Sequence, residues 1–154
     1  MLSIRSHNYR WLAVALSLAA LCALAAPALA KKMKGPKATA SPNASLTNNQ
    51  MVTVTGTGFV AGSEVFLVEC NKGIKGQSGS GGISFCEPNA PHLVGPIKIT
   101  SEGTLPATSF TVFTGAVGNR TCGTSKKDKI CYVGVGNAEG SNNDSALAKI
   151  TFVP

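Results

Sequence analysis

The chain has 154 residues, 14 Lys and Arg against 7 Asp and Glu, and a formal charge of +7. That length suits one domain and is too short for a two-lobed nucleotide-fold enzyme. Its 44% apolar content supports one packed core and excludes a disordered chain.

Residues 1–30 read as a secretory signal peptide. Arg5 and Arg10 form a basic lead, Trp11 to Ala26 is apolar, and Ala28-Leu29-Ala30 is a small-x-small cleavage signal. The apolar run is shorter than the roughly 20 residues a spanning helix needs. Cleavage after Ala30 leaves 124 residues with a charge of +5. Cys22 leaves with the signal, and Leu21 before it is not the small residue of a lipoprotein anchor. The expected location is extracellular.

Lys31–Lys37 is a basic N-terminal tail, and residues 38–154 form the folded domain. The part after Ala30 holds 13 Thr, 11 Val and 6 Ile against 5 Leu. β-Branched residues suit a pleated surface and lose rotamer freedom in a helix. Glycines and prolines recur at the spacing of a sandwich or barrel. The chain is therefore all-β.

Strands are expected in order. Ala38–Ser41 stops at Pro42 and suits an edge. Gln50–Gly56 turns Val52 and Val54 inward and Thr53 and Thr55 outward. Ser63–Cys70 is apolar and central. Asn71–Gly82 is a Gly/Ser-rich loop. Ile83–Cys86, Leu93–Thr100 and Pro106–Phe113 follow, with Ser101-Glu102-Gly103 as a hairpin turn. Gly115–Lys129 is a second loop, and Ile130–Gly136 and Ala146–Val153 close the set.

Cys70, Cys86, Cys122 and Cys131 are an even set in a chain addressed to an oxidising compartment. Four cysteines allow three pairings, of which the sequential one closes two short loops. The competing reading is zinc, but the spacings lack the short C-x2-4-C of zinc modules.

The residues also carry a resemblance. Ser41-Pro42, Leu46, Val52-Thr53-Val54, Gly56-x-Gly58, Ala61-Gly62 and Cys70 resemble the opening of neocarzinostatin-type apoproteins. Cys86 and Pro88, Ala107–Val112, Cys122, Cys131-Tyr132-Val133-Gly134 and Ile150-Thr151-Phe152 continue the likeness in the same order. The resemblance implies a seven-stranded antiparallel immunoglobulin-like sandwich with two disulfides, Cys70–Cys86 and Cys122–Cys131, in or beside the walls of a cleft. It also implies non-covalent carriage of an apolar, enediyne-like chromophore, in the manner of antibacterial or antitumour chromoproteins. DNA would then be the target of the released cargo. The implied lining is Cys70, Ile83, Phe85, Cys86, Phe113, Tyr132 and Gly134.

This chain departs from the family pattern in places. FTGAVGNRT at 113–121 is a short stretch before the third cysteine, the first disulfide loop is long, and Val68 stands where the family has Gly.

Other features weigh less. His92 is the one histidine after the signal, and no Gly-x-Ser-x-Gly elbow is present, so neither enzyme activity nor an intrinsic cofactor or metal is expected. Lys126, Lys127 and Lys129 offer salt-sensitive phosphate contacts, with solubilisation as the plainer role. Asn43, Asn119 and Asn143 are glycosylation sequons. A monomer is expected. The alternative function is an extracellular immunoglobulin-like interaction or adhesion module without a chromophore. A third reading is a basic antimicrobial protein that acts without a ligand.

Overall fold

The structure is a computed structural model that describes residues 35–71, 85–138 and 144–153. The signal segment, most of the basic tail, Ile83 and Asn143 lie outside the described residues.

The described residues form ten strands and no α-helix. They are β1 (Lys37–Ser41), β2 (Gln50–Thr57), β3 (Glu64–Cys70), β4 (Cys86–Glu87), β5 (Leu93–Lys98), β6 (Thr104–Val112), β7 (Gly115–Val117), β8 (Arg120–Cys122), β9 (Ile130–Gly136) and β10 (Ala146–Thr151). One sheet has the order β1-β2-β6. A second runs β10-β9-β3-β4, with β5 also pairing β3. β7 and β8 form a separate ribbon. Every strand pairing is antiparallel.

The all-β expectation and the two disulfides hold, and β1 is an edge strand. The strand count differs from the seven that the resemblance implies and from the eight read along the chain. The edge beside β3 is divided between β4 and β5, with residues 88–92 turning between them. The expected loop from Gly115 also opens with the β7–β8 hairpin. Gly118 takes a positive φ of 55° at its turn, and Val117 drops into the core. A ribbon of three residues per strand is too short to show an alternating pattern in sequence.

Period-two alternation builds the core. β2 buries Val52, Val54 and Gly56 and exposes the residues between them. β6 buries Leu105, Phe110 and Val112, β3 buries Val65 and Leu67, β9 buries Cys131, Val133 and Val135, and β10 buries Ala148 and Ile150. These residues form one hydrophobic cluster that joins the facing sides of both sheets in a sandwich-like arrangement. The closing segment completes it. Leu46 bridges Phe152, the Leu46 N–H donates to the Thr151 carbonyl, and the Val153 N–H donates to the Leu46 carbonyl.

Candidate functional site

The alternation that buries Val65 and Leu67 turns Phe66, Val68 and Cys70 to the other side of β3. Directly paired residues of an antiparallel sheet share a face, so register assembles that outer surface. Val68 pairs with Leu93 in β5 and with Gly134 in β9, and Gly134 pairs with Leu147 in β10. The next rank is Cys86, Cys70, Tyr132 and Lys149. The rank on the other side pairs Phe66 with Gly136.

Phe66, Val68, Leu93, Tyr132 and Leu147 are each half-buried. The result is an apolar strip across four strands that the core does not use.

Gly134 is its low point. A Cβ there would lie 3.2 Å from Cys70 Sγ and 3.2 Å from Val68 Cγ2. Pairing runs through Gly134 on both sides without a bulge, so the glycine serves close approach. Gly95 performs a similar service at the β5 edge. Its φ is +142°, and a Cβ would meet the Phe66 ring at 2.8 Å.

The disulfides Cys70–Cys86 and Cys122–Cys131 both form. They lie on opposite sides of the five-stranded sheet. Cys70 shares the outer face with Val68 and Gly134, whereas Cys122 and Cys131 belong to the core cluster. The Cys122 sulfur lies 3.7 Å from the Cys70 carbonyl, so the two cystines meet through the β3 backbone. An open cavity of about 500 Å³ lies at the other end of the outer face, lined by Ser63, Glu64, Phe66, Asn137, Ala138 and Asp144.

Of the expected lining, Cys70, Cys86, Tyr132 and Gly134 come together on this face. Phe85 is half-buried beside Cys86, and its carbonyl accepts the Asn71 N–H at 2.8 Å. Ile83 is outside the described residues. Phe113 sits apart from the strip. Its N–H donates to the Glu69 carboxylate, which lies on the inner side of β3, and its ring centroid is 4.7 Å from that of His92. Phe113 directly follows β6, a strand of the other sheet, which is why it approaches β3 from the inner side.

Sequence reasoning missed Phe66, Leu93 and Leu147 as face residues. The signal was available: once Val65 and Leu67 point inward, Phe66 and Val68 must point outward. It also missed Glu69, which is fully buried. Burial raises its carboxyl to about 7, against the opposing pull of the His92 hydrogen bond, the Phe113 N–H and the His92 charge. His92 is thereby occupied, with Nδ1 2.8 Å from Glu69 Oε2.

Lys126, Lys127 and Lys129 are exposed on the loop closed by Cys122 and Cys131. Asp128 among them turns to the hydroxyls of Thr121, Thr124 and Ser125 and the Ser125 N–H. These bonds hold its carboxyl well below the usual carboxylate range. The described residues hold no group of three or more His, Cys, Asp or Glu placed to bind a metal.

Comparison with solved structures finds macromomycin at a TM-score of 0.54 and 24% identity, covering 77% of this chain and 100% of that one. It also finds the solution conformation of apokedarcidin, with 22% identity, coverage of 75% and 98%, and a TM-score of 0.43. A comparison with curated protein sequences returned no match. The sequence profile of the neocarzinostatin family matches residues 38–152, spanning every strand from β2 to β10 and nearly all of β1. The chain belongs to the neocarzinostatin family.

Proposed function

We propose that this protein carries a small apolar ligand on the outer face of its five-stranded sheet, as a chromoprotein apoprotein does. One observation carries the reading. Leu93, Val68, Gly134 and Leu147 form an unbroken apolar rank across four strands, in which the three side chains are half-exposed and the glycine between Val68 and Leu147 is buried. A sheet face that exists only to meet water would alternate polar residues outward, as β2 does with Thr53, Thr55 and Thr57. A flat polycyclic ligand laid over Gly134 would contact Val68, Leu93 and Leu147 and meet Tyr132 and the Cys70–Cys86 cystine at one end. Strands joined on both sides supply that surface with little ordering cost.

The mechanism is sequestration. Burying the ligand removes it from water and thiols, and its release, with no turnover, delivers the activity. An enediyne-like cargo directed at DNA is the form this takes in the family resemblance. The reading includes an exported monomer, with residues 1–30 as the signal and 38–154 as the carrier domain.

The test is titration of the oxidised protein with 2-naphthoate, followed by fluorescence. Saturable binding that weakens on reduction of the cystines supports the carrier. Absence of saturation up to millimolar probe removes it and leaves the interaction module. Native mass spectrometry of protein taken from its source then shows whether a small molecule travels with it.

A further inference from the structure

Glu69 is a fully buried carboxylate in the strand that carries the proposed binding face, and it has no part in that face. It receives the Phe113 N–H at 3.1 and 3.2 Å and meets His92 Nδ1 at 2.8 Å. Its own N–H donates to the His92 carbonyl at 3.1 Å. His92 and Phe113 pack ring against ring. One carboxylate therefore gathers three segments: β3, the turn that delivers Leu93 to the strip, and the exit of β6 toward the β7–β8 ribbon. β6 belongs to the other sheet, so the contact also joins the two sheets. Val68 and Cys70, immediately before and after Glu69 in the chain, are face residues.

We propose that Glu69 is a positioning residue for the apolar face, a proton-carrying clasp with His92 and Phe113 that loosens when Glu69 gives up its proton. Its consequence for a ligand rests on the carrier reading.

The surroundings explain why that proton matters. Glu87 of β4 is paired with Glu69 in register and adds negative charge, while its own carboxylate accepts from Asn89 Nδ2 at 2.7 Å. Val133, the register partner in β9, is apolar. From the β6 exit Glu69 meets the Phe113 N–H. Lys149 of β10 is in register with Tyr132 on the outer face. His92 is the cation-forming group that meets Glu69 among these. A buried carboxylate needs a counter-charge or a proton, and burial has moved this one to about 7. Below neutrality the Glu69 carboxyl holds its proton, 2.8 Å from His92 Nδ1. Above neutrality the pair is left with a buried negative charge and N–H donors alone. The clasp then opens, and with it the segments that lead to Leu93 and to the ribbon.

The experiment uses the oxidised chain without ligand and then with 2-naphthoate. Amide exchange of Glu69 and Phe113, corrected for intrinsic base catalysis, is followed from pH 6 to pH 9. Protection is expected to fall about 10-fold across the neutral range, and Glu69→Gln is expected to remove that step. The naphthoate dissociation rate is expected to rise by about the same factor in the parent protein and to stay flat in the variant. Protection independent of pH, or a step that survives in Glu69→Gln, overturns the proposal. Should the variant fail to fold, the Glu69 carboxyl carbon resonance of the parent protein decides. Titration near neutrality supports the clasp, and titration in the ordinary carboxylate range overturns it. Should naphthoate fail to bind at every pH, the carrier reading falls, while the exchange data still decide the clasp.

Discussion

β3 and β9 present two faces built by the same alternation. The inner face is finished: Val65, Leu67, Val133 and Val135 are buried, the Cys122–Cys131 cystine is packed among them, and Glu69 is closed off by Phe113 and His92. The outer face is unfinished: Phe66, Val68, Leu93, Tyr132 and Leu147 are half-covered around a glycine. The inner face therefore supports stability, and the outer face is the side on which binding is proposed. Substitutions on the two sides should separate these roles.

The largest effect is expected at the inner cystine. Replacing Cys122 and Cys131 with Ala should lower unfolding free energy by about 3–5 kcal/mol, because a loop constraint and core packing are lost together. Replacing Cys70 and Cys86 should cost about 3 kcal/mol, mostly through loop entropy, and should weaken naphthoate binding more than the inner pair does. Denaturant unfolding and probe titration on both variants check the order. Equal effects on binding would break the comparison.

Glu69→Gln comes next and depends on pH. The folded state binds the Glu69 proton more tightly than the unfolded state, since its carboxyl is raised from 4.5 to about 7. The stabilising contribution is complete below the unfolded carboxyl range and is lost as pH rises through 7. The variant should therefore match the parent protein near pH 4, within about 1 kcal/mol, and exceed it by about 1–3 kcal/mol at pH 8. Thermal or denaturant unfolding at both pH values measures this.

Gly134→Ala sharpens the outer side. The added methyl meets Cys70 Sγ and Val68 Cγ2 at 3.2 Å. A cost of about 1–2 kcal/mol in stability is expected, with at least a ~10-fold loss of naphthoate affinity. Neutralising Lys126, Lys127 and Lys129 together should be the mildest change, within about 0.5 kcal/mol of the parent stability. If these lysines touch phosphate, the variant's DNA retention should lose salt dependence.

Much of this was legible beforehand, for identifiable reasons. Val52 and Val54 against Thr53 and Thr55 is a period-two pattern strong enough to assign faces. The four cysteines, read with the family resemblance, gave the pairing found. Residues 115–122 read as loop because the short ribbon has two glycines and one buried valine, Val117. Phe113 belongs to the lining that the resemblance implies, but sequence does not show from which sheet a residue approaches. Glu69 looked like any strand glutamate. Its inward position follows from Val65 and Leu67, while the partners that make burial tolerable come from 23 and 44 residues away. Val68 stands where the family has Gly. The structure adds that Gly134, opposite it, makes the room.

The bridge between Leu46 and Phe152 has a consequence for how strain spreads. β10 lies beside β9, and the residues that follow it fasten the segment joining β1 to β2. Fraying at this end of β10 would therefore free Leu46 as well and pull a buried residue out of the shared core.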